Sequence, residues 1–218
     1  CLEEHDHCLS RDSSALPDRV LDLGTPCDPH LKLLETQNEP AEYVSLSYCW
    51  GTLPNFVTLT SNIEEFKAGI DETTLPATLK DTVAVTRALG IRYLWIDAIC
   101  IIQRDAEDWN KQSVKMASVY GNAYLTLIIS QAEGVHDGFL HKRDNTTLAV
   151  GTTQKKGQDT EVYLLPRVAT ADEILQDLSL TPVGDRGWCV QERLIAPRKV
   201  YFHRDQMIWE CKERFYCE

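Results

Sequence analysis

The chain has 218 residues, with 33 acidic against 22 basic side chains and a net charge of −11. That balance disfavours a generic nucleic-acid or anionic-membrane surface, since both need a positive field. No apolar run approaches the roughly 20 residues that span a bilayer; Tyr124 to Ile129, for example, is strand-sized. Cys1 is followed by neither a basic n-region nor an apolar h-region, so no signal peptide is visible. A soluble, cytoplasmic chain of one or at most two domains is expected. Cys49, Cys100 and Cys189, three of the eight cysteines, lie beside Trp or Ile, where free Cys commonly behaves as a small buried hydrophobe. A reduced compartment is therefore expected.

Residues 1–40 are polar and broken by Pro17, Pro26, Pro29 and Pro40, and read as an arm packed on a domain that occupies 41–218. Val20-Leu-Asp-Leu23 and Leu31-Lys-Leu-Leu34 are strand-like and suit a hairpin around Pro26-Cys-Asp-Pro29. Tyr43 to Tyr48 alternates and stops at Trp50-Gly51, as a strand entering a turn does. Pro76 suits a first helical turn; Leu79, Val83 and Ala84 continue at helical spacing, and Gly90 suits the stop. Tyr93 to Ile96 is a continuous apolar run ending in Asp97. Asp105 and Asp108 fit the start of a helix in which Trp109, Ser113, Met116 and Tyr120 share a face and which Gly121 ends.

Strands apolar on both faces, alternating with helices, predict an α/β fold with a mostly parallel sheet flanked by helices. Residues 145–165 break the rhythm: the turn signal Lys155-Lys-Gly-Gln-Asp159 predicts an inserted β-hairpin. Gly187 to Ile195 predicts a helix closed off before Pro197. Val200-Tyr-Phe202 and Met207-Ile-Trp209 predict a terminal hairpin.

Ligands of open parallel sheets collect at the carboxyl ends of strands. Ser47-Tyr-Cys-Trp-Gly51 and Asp97 fall at two such ends, and Arg186-Gly-Trp-Cys-Val-Gln-Glu192 enters a short helix. Asp97 suits either a loop cap or a ligand contact. Trp50 and Trp188 suit either packing or substrate stacking. Glu192, between Val190 and Leu194, suits either an ion pair with Arg186 or Arg193 or a catalytic role.

Three segments together resemble the heterokaryon incompatibility (HET) domain of filamentous fungi. They are Tyr43-Val-Ser-Leu-Ser-Tyr-Cys-Trp-Gly51, Leu89-Gly-Ile-Arg-Tyr-Leu-Trp-Ile-Asp-Ala-Ile-Cys-Ile-Ile-Gln103 and Arg186-Gly-Trp-Cys-Val-Gln-Glu-Arg-Leu194. Tyr120-Gly-Asn-Ala-Tyr-Leu-Thr-Leu127 is similar to the family as well. The resemblance implies a cytosolic effector of non-self recognition and programmed cell death, working with a partner signalling domain or by self-association. Ser47-Tyr-x-x-Gly51 and Trp188-Cys-Val-Gln-Glu192 are in addition similar to segments of Toll/interleukin-1 receptor (TIR) domains. That resemblance implies a TIR-like, flavodoxin-like sheet and hydrolysis of NAD. Glu192 would be the catalytic carboxylate, with Asp97 beside it. Ser47, Tyr48, Cys49, Trp50, Gly51, Arg186, Trp188 and Gln191 would line the substrate cleft. Arg186 stands where the TIR pattern has Ser.

Two further chemistries are open. A cysteine hydrolase built on Cys49 or Cys189 needs a His, and His203 could reach them only through the fold. At the termini, Cys1-x3-His5-x2-Cys8 offers three soft ligands, and Cys211 or Cys217 a fourth, for a tetrahedral zinc. Free thiols, or one disulfide between the ends, are the alternatives there.

Overall fold

The structure, a computed structural model, describes residues 1, 5, 8, 14–53, 55–142, 148–155, 158–164, 187–203 and 206–217. Its centre is β3 (Tyr43–Ser47), a strand whose five residues are all buried. Burial on both faces removes the alternation expected of a half-exposed strand and requires partners on both edges. The partners are β4 (Tyr93–Trp95) and β5 (Leu125–Ile129), both parallel to β3. The next parallel strand, β8 (Arg198–Phe202), lies outside β5.

Antiparallel strands extend this core at both sides. The predicted arm hairpin forms as β1 (Arg19–Thr25) and β2 (Asp28–Glu35), and β1 pairs with β4. The predicted terminal hairpin forms from β8 and β9 (Met207–Cys211), followed by β10 (Phe215–Cys217). The sheet therefore runs β10-β9-β8-β5-β3-β4-β1-β2, a mixed sheet whose central four strands are parallel. The inserted hairpin also forms, as β6 (Leu148–Lys155) and β7 (Gln158–Leu164), in a two-stranded sheet of its own.

Between these strands run α1 (Ile63–Ala68), α2 (Ala77–Ala88), α3 (Asp97–Cys100), α4 (Ala106–Ser113), α5 (Met116–Asn122) and α6 (Gly187–Ile195). Pro76 is the N-cap of α2, and Gly90, at φ +74°, follows its C-cap. The buried face of α2 carries Leu79 and Val83 with Thr78, Thr82 and Thr86, whereas Ala84, placed on that face from spacing, is exposed. The threonines can be buried because Thr82 and Thr86 donate to the carbonyls four residues back, at 2.7 and 2.8 Å.

The single helix expected over 105–121 is two. Asp105 caps α4 by accepting from the amides of Glu107 and Asp108, both at 3.0 Å. At the break, the amide of Lys115 donates to the carbonyl of Gln112, a tightened final turn. Lys115 extends its ammonium to both oxygens of Asp18 at 2.8 Å, while Val114 is exposed. Gly121 does not stop α5, which continues to Asn122. Asp108 accepts instead from Arg19 of β1, whose guanidinium also donates to the Cys100 carbonyl at 2.8 Å.

The arm hairpin is fastened to β4 by Asp22, which is 1% exposed. Both its oxygens accept from Arg92 at 2.7 Å, and the Gly24 amide donates to it at 3.0 Å. Burial alone would raise this carboxyl, but Arg92, the Gly24 amide and His30 outweigh it and hold it down at about 2. A carboxyl lowered on folding contributes stability that is complete above its ordinary value and is lost as pH falls through its folded value. Stability should therefore fall between about pH 4 and pH 2 as Asp22 protonates. Asp22→Asn should cost about 2–3 kcal/mol at neutral pH and flatten that acid decline. Denaturant titrations of both proteins across this range check the expectation; parallel curves would show that Asp22 is not the group responsible.

Candidate active site

Among the parallel strands the order is β4-β3-β5-β8, so the chain first leaves β3 to one side and later returns on the other. The crevice at the carboxyl end of β3 is a topological switch point, where ligands of such sheets bind. Two of the sequence segments meet there. Ser47, the last residue of β3, donates its hydroxyl to Glu192 Oε2 of α6 at 2.5 Å, across 145 residues of chain. Both side chains are buried, Ser47 at 1% and Glu192 at 7% exposure.

The placement of Glu192 inverts the usual pattern of α6. Val190 and Leu194, two residues to either side, are 43% and 77% exposed, because positions two apart lie on opposed faces of a helix. The carboxylate faces inward and the aliphatic side chains face out. A buried carboxylate costs free energy unless it is hydrogen-bonded, and one that lines a cleft is a candidate functional group.

Asp97 follows β4 and opens the one-turn α3. Its Oδ1 accepts from the amide of Ala98 at 2.7 Å, and its Oδ2 accepts from the Trp50 indole at 3.0 Å. It is thus both a local cap and the group that orients Trp50. Glu192, Asp97, Trp50 and Tyr48 line one cavity of roughly 270 Å³ with Leu46, Ile101, Gln103, Trp109, Met116 and Tyr120. Tyr120 donates to the Leu46 carbonyl at 3.1 Å, and Asn55 donates to the Tyr48 hydroxyl at 3.1 Å. Two larger cavities, of roughly 370 and 420 Å³, hold neither Glu192 nor Asp97.

Cys49, Gly51 and Gln191 do not line this cavity. Cys49 is buried with Ile128, Tyr201 and Ile208 in a small apolar cluster, the setting of a structural cysteine. His203, its suggested partner, bonds Gln131 at 2.8 Å. Gly51 is exposed at φ +77°, and a Cβ there would meet the Gly134 Cα at 2.8 Å. Its place is a close backbone crossing, which accounts for glycine without a ligand. Gln191 is exposed on α6. Arg186 lies outside the described residues, as do the side chains of Trp188 and Cys189.

Gln103, Trp109, Met116 and Tyr120 were not read as cavity residues. Two signals were available: Gln103 closes the second motif, and Trp109, Met116 and Tyr120 were placed on one face. That face is kept across the break between α4 and α5.

At the opposite margin, Cys1, His5, Cys8 and Cys211 converge, with one ligand atom of each lying within 4.8 Å of the others. Of the two candidates for a fourth ligand the fold selects Cys211, at the end of β9, while Cys217 packs against the Cys49 cluster. Cys1, Cys8 and Cys211 form no disulfide with one another.

The whole is an α/β domain with a carboxylate-bearing cleft at the switch point of its parallel sheet. Residues 43–192, more than half the chain, match the family model described as Heterokaryon incompatibility protein (HET). The chain belongs to this heterokaryon incompatibility family. The matched segment opens at the first residue of β3 and closes at Glu192. Searches of curated proteins and of solved structures gave no match. Among the described residues, no helix is long and apolar enough to cross a membrane.

Replacing Ser47 with Ala should remove the hydroxyl donor from a buried carboxylate. It should cost about 1–3 kcal/mol in denaturant unfolding, whereas Ser47→Thr, which keeps the hydroxyl, should recover part of the loss. Equal loss in both variants would make the site one of packing alone.

Proposed function

We propose that this domain hydrolyses NAD to nicotinamide and ADP-ribose, as an effector of fungal non-self recognition and cell death. The observation that carries the proposal is the buried Glu192 carboxylate, held by Ser47 in a cleft at the sheet's switch point. The Trp188-to-Glu192 spacing, similar to the active-site helix of TIR domains, supports it.

The chemistry asks little beyond such a group. In NAD the nicotinamide nitrogen is cationic, so cleavage of the bond from ribose C1′ sends the electron pair to the ring and releases neutral nicotinamide. No general acid is required. An oxocarbenium-like ribose forms, and a carboxylate beside it stabilises the charge and orients ribose hydroxyls. Water then adds to C1′ and one proton is released. Glu192 takes the part of that carboxylate. Trp50, oriented by Asp97, and Tyr120 offer aromatic surface to the flat nicotinamide ring. A cavity of roughly 270 Å³ suits the nicotinamide and its ribose, with the pyrophosphate and adenosine extending outward. In an acidic chain the pyrophosphate needs a local cation, and Arg186 takes that part.

Glu192→Gln keeps an oxygen to accept from Ser47 and removes the charge. The variant should melt within a few degrees of the parent, while nicotinamide release falls by on the order of 10²–10³. Full release by the Gln variant would remove Glu192 from the mechanism.

Asp97→Ala frees the Trp50 indole and should lower turnover by about tenfold or more for about 1 kcal/mol of stability. A collapse of the melting temperature would instead make Asp97 a structural cap.

A second reading is a non-enzymatic signalling module that acts by self-association. The exposed Val190 and Leu194 on α6 favour it. A chain that assembles yet releases no nicotinamide at any protein concentration would decide for this reading.

A further inference from the structure

We propose that Cys1, His5, Cys8 and Cys211 bind one structural zinc ion, which fastens the amino-terminal segment to the far edge of the sheet. The four donor atoms lie within 4.8 Å of one another. Ligands of a tetrahedral zinc at about 2.3 Å from sulfur stand about 3.7 Å apart, so contraction by about an ångström at most closes the site. Cys211 Sγ is already 3.4 Å from His5 Nδ1. His5, Cys8 and Cys211 are buried, at 7%, 5% and 8% exposure.

The backbone is arranged as metal–thiolate loops commonly are. The Cys8 amide donates to the His5 carbonyl at 3.0 Å, and the His5 amide to the Cys1 carbonyl at 3.2 Å, which coils the three amino-terminal ligands to one side. Across from them the Cys211 amide donates to the Arg214 carbonyl at 2.9 Å and closes a tight turn. The amides of Glu213 and Arg214 face the Cys211 sulfur, and that of Lys212 faces Cys8. Amides aimed at sulfur support thiolates, the form that binds metal.

A disulfide would join two of these sulfurs and leave a third cysteine and a buried imidazole without a role, whereas zinc employs all four. Three cysteines and one histidine make a closed set with no position for water or substrate, so the site is structural rather than catalytic. Binding converts three thiols to thiolates, releases three protons to solvent and leaves a centre of net charge −1. Zinc at this site joins residue 1 to residue 211, and so fastens the amino-terminal ligands to the end of β9.

The test is the metal content of the chain purified under reducing conditions without added metal, measured by plasma mass spectrometry beside a Cys8→Ser/Cys211→Ser double variant. About one zinc per parent chain is expected, with little in the variant and a melting temperature several degrees lower after chelation. Should the variant fail to fold, cobalt exchanged into the parent decides. The visible absorption and thiolate charge-transfer bands of a tetrahedral cysteine-rich centre support the site, and their absence overturns it. A metal-free parent that takes up neither zinc nor cobalt overturns it too, as does zinc retained at full stoichiometry by the double variant.

Discussion

β3 is the constraint on which the rest of the domain depends. Five consecutive buried residues leave no edge or face of that strand to water, so every backbone group on it must be paired by β4 and β5. Two crossovers must therefore return to it, one on each side. This alone creates the switch point and the crevice above it. Internal groups adapt to the same demand: Ser45 and Thr126 share a hydroxyl bond at 2.8 Å between neighbouring strands, and Tyr43 donates to the Val119 carbonyl at 2.5 Å. The strand that organises the sheet also delivers Ser47 to its carboxyl end, so fold and site share one origin.

Charge is the second organising theme. A chain of net charge −11 has carboxylates to spare, and most can face water at no cost. Two of the buried ones are satisfied differently. Asp22 is matched by a guanidinium and serves to join strands. Glu192 accepts from the Ser47 hydroxyl and lines the cleft at the end of the parallel strands. The first arrangement joins two strands, and the second ties the end of β3 to α6.

The two ends of the sheet divide the work. Glu192, Asp97 and Trp50 gather where the parallel strands end. The Cys/His cluster lies by Cys211, which pairs with Arg198 at the start of β8, and the cavity of roughly 370 Å³ that Cys8 lines lies near the residues that precede β3, β5 and β8. Anything that orders the amino-terminal segment therefore acts on the end of the domain away from the cleft, and alters stability without touching the proposed reaction.

Much of this was legible in the amino-acid sequence because it rests on local patterns. Apolar runs of strand length, Pro76 and Gly90 around α2, Asp105 at the start of α4 and the turn signals of three hairpins each follow from backbone preference over a few residues. The motif residues Ser47, Asp97 and Glu192 were visible as polar groups beside apolar runs. Cys1, His5 and Cys8 were visible as a spacing. The break at Val114–Lys115 was not, since it answers to Asp18, about a hundred residues away in the chain. Nor was the exposure of Val190 and Leu194, which composition alone places inside. Only the tertiary structure could decide that Glu192 is the buried member of its helix, that Ser47 is its partner, and that Cys211 rather than Cys217 completes the terminal cluster. The reason is physical: propensity acts between neighbours in sequence, whereas a hydrogen bond across 145 residues, or a Cys/His cluster drawn from residues 1 and 211, exists only once the sheet has set the strand order.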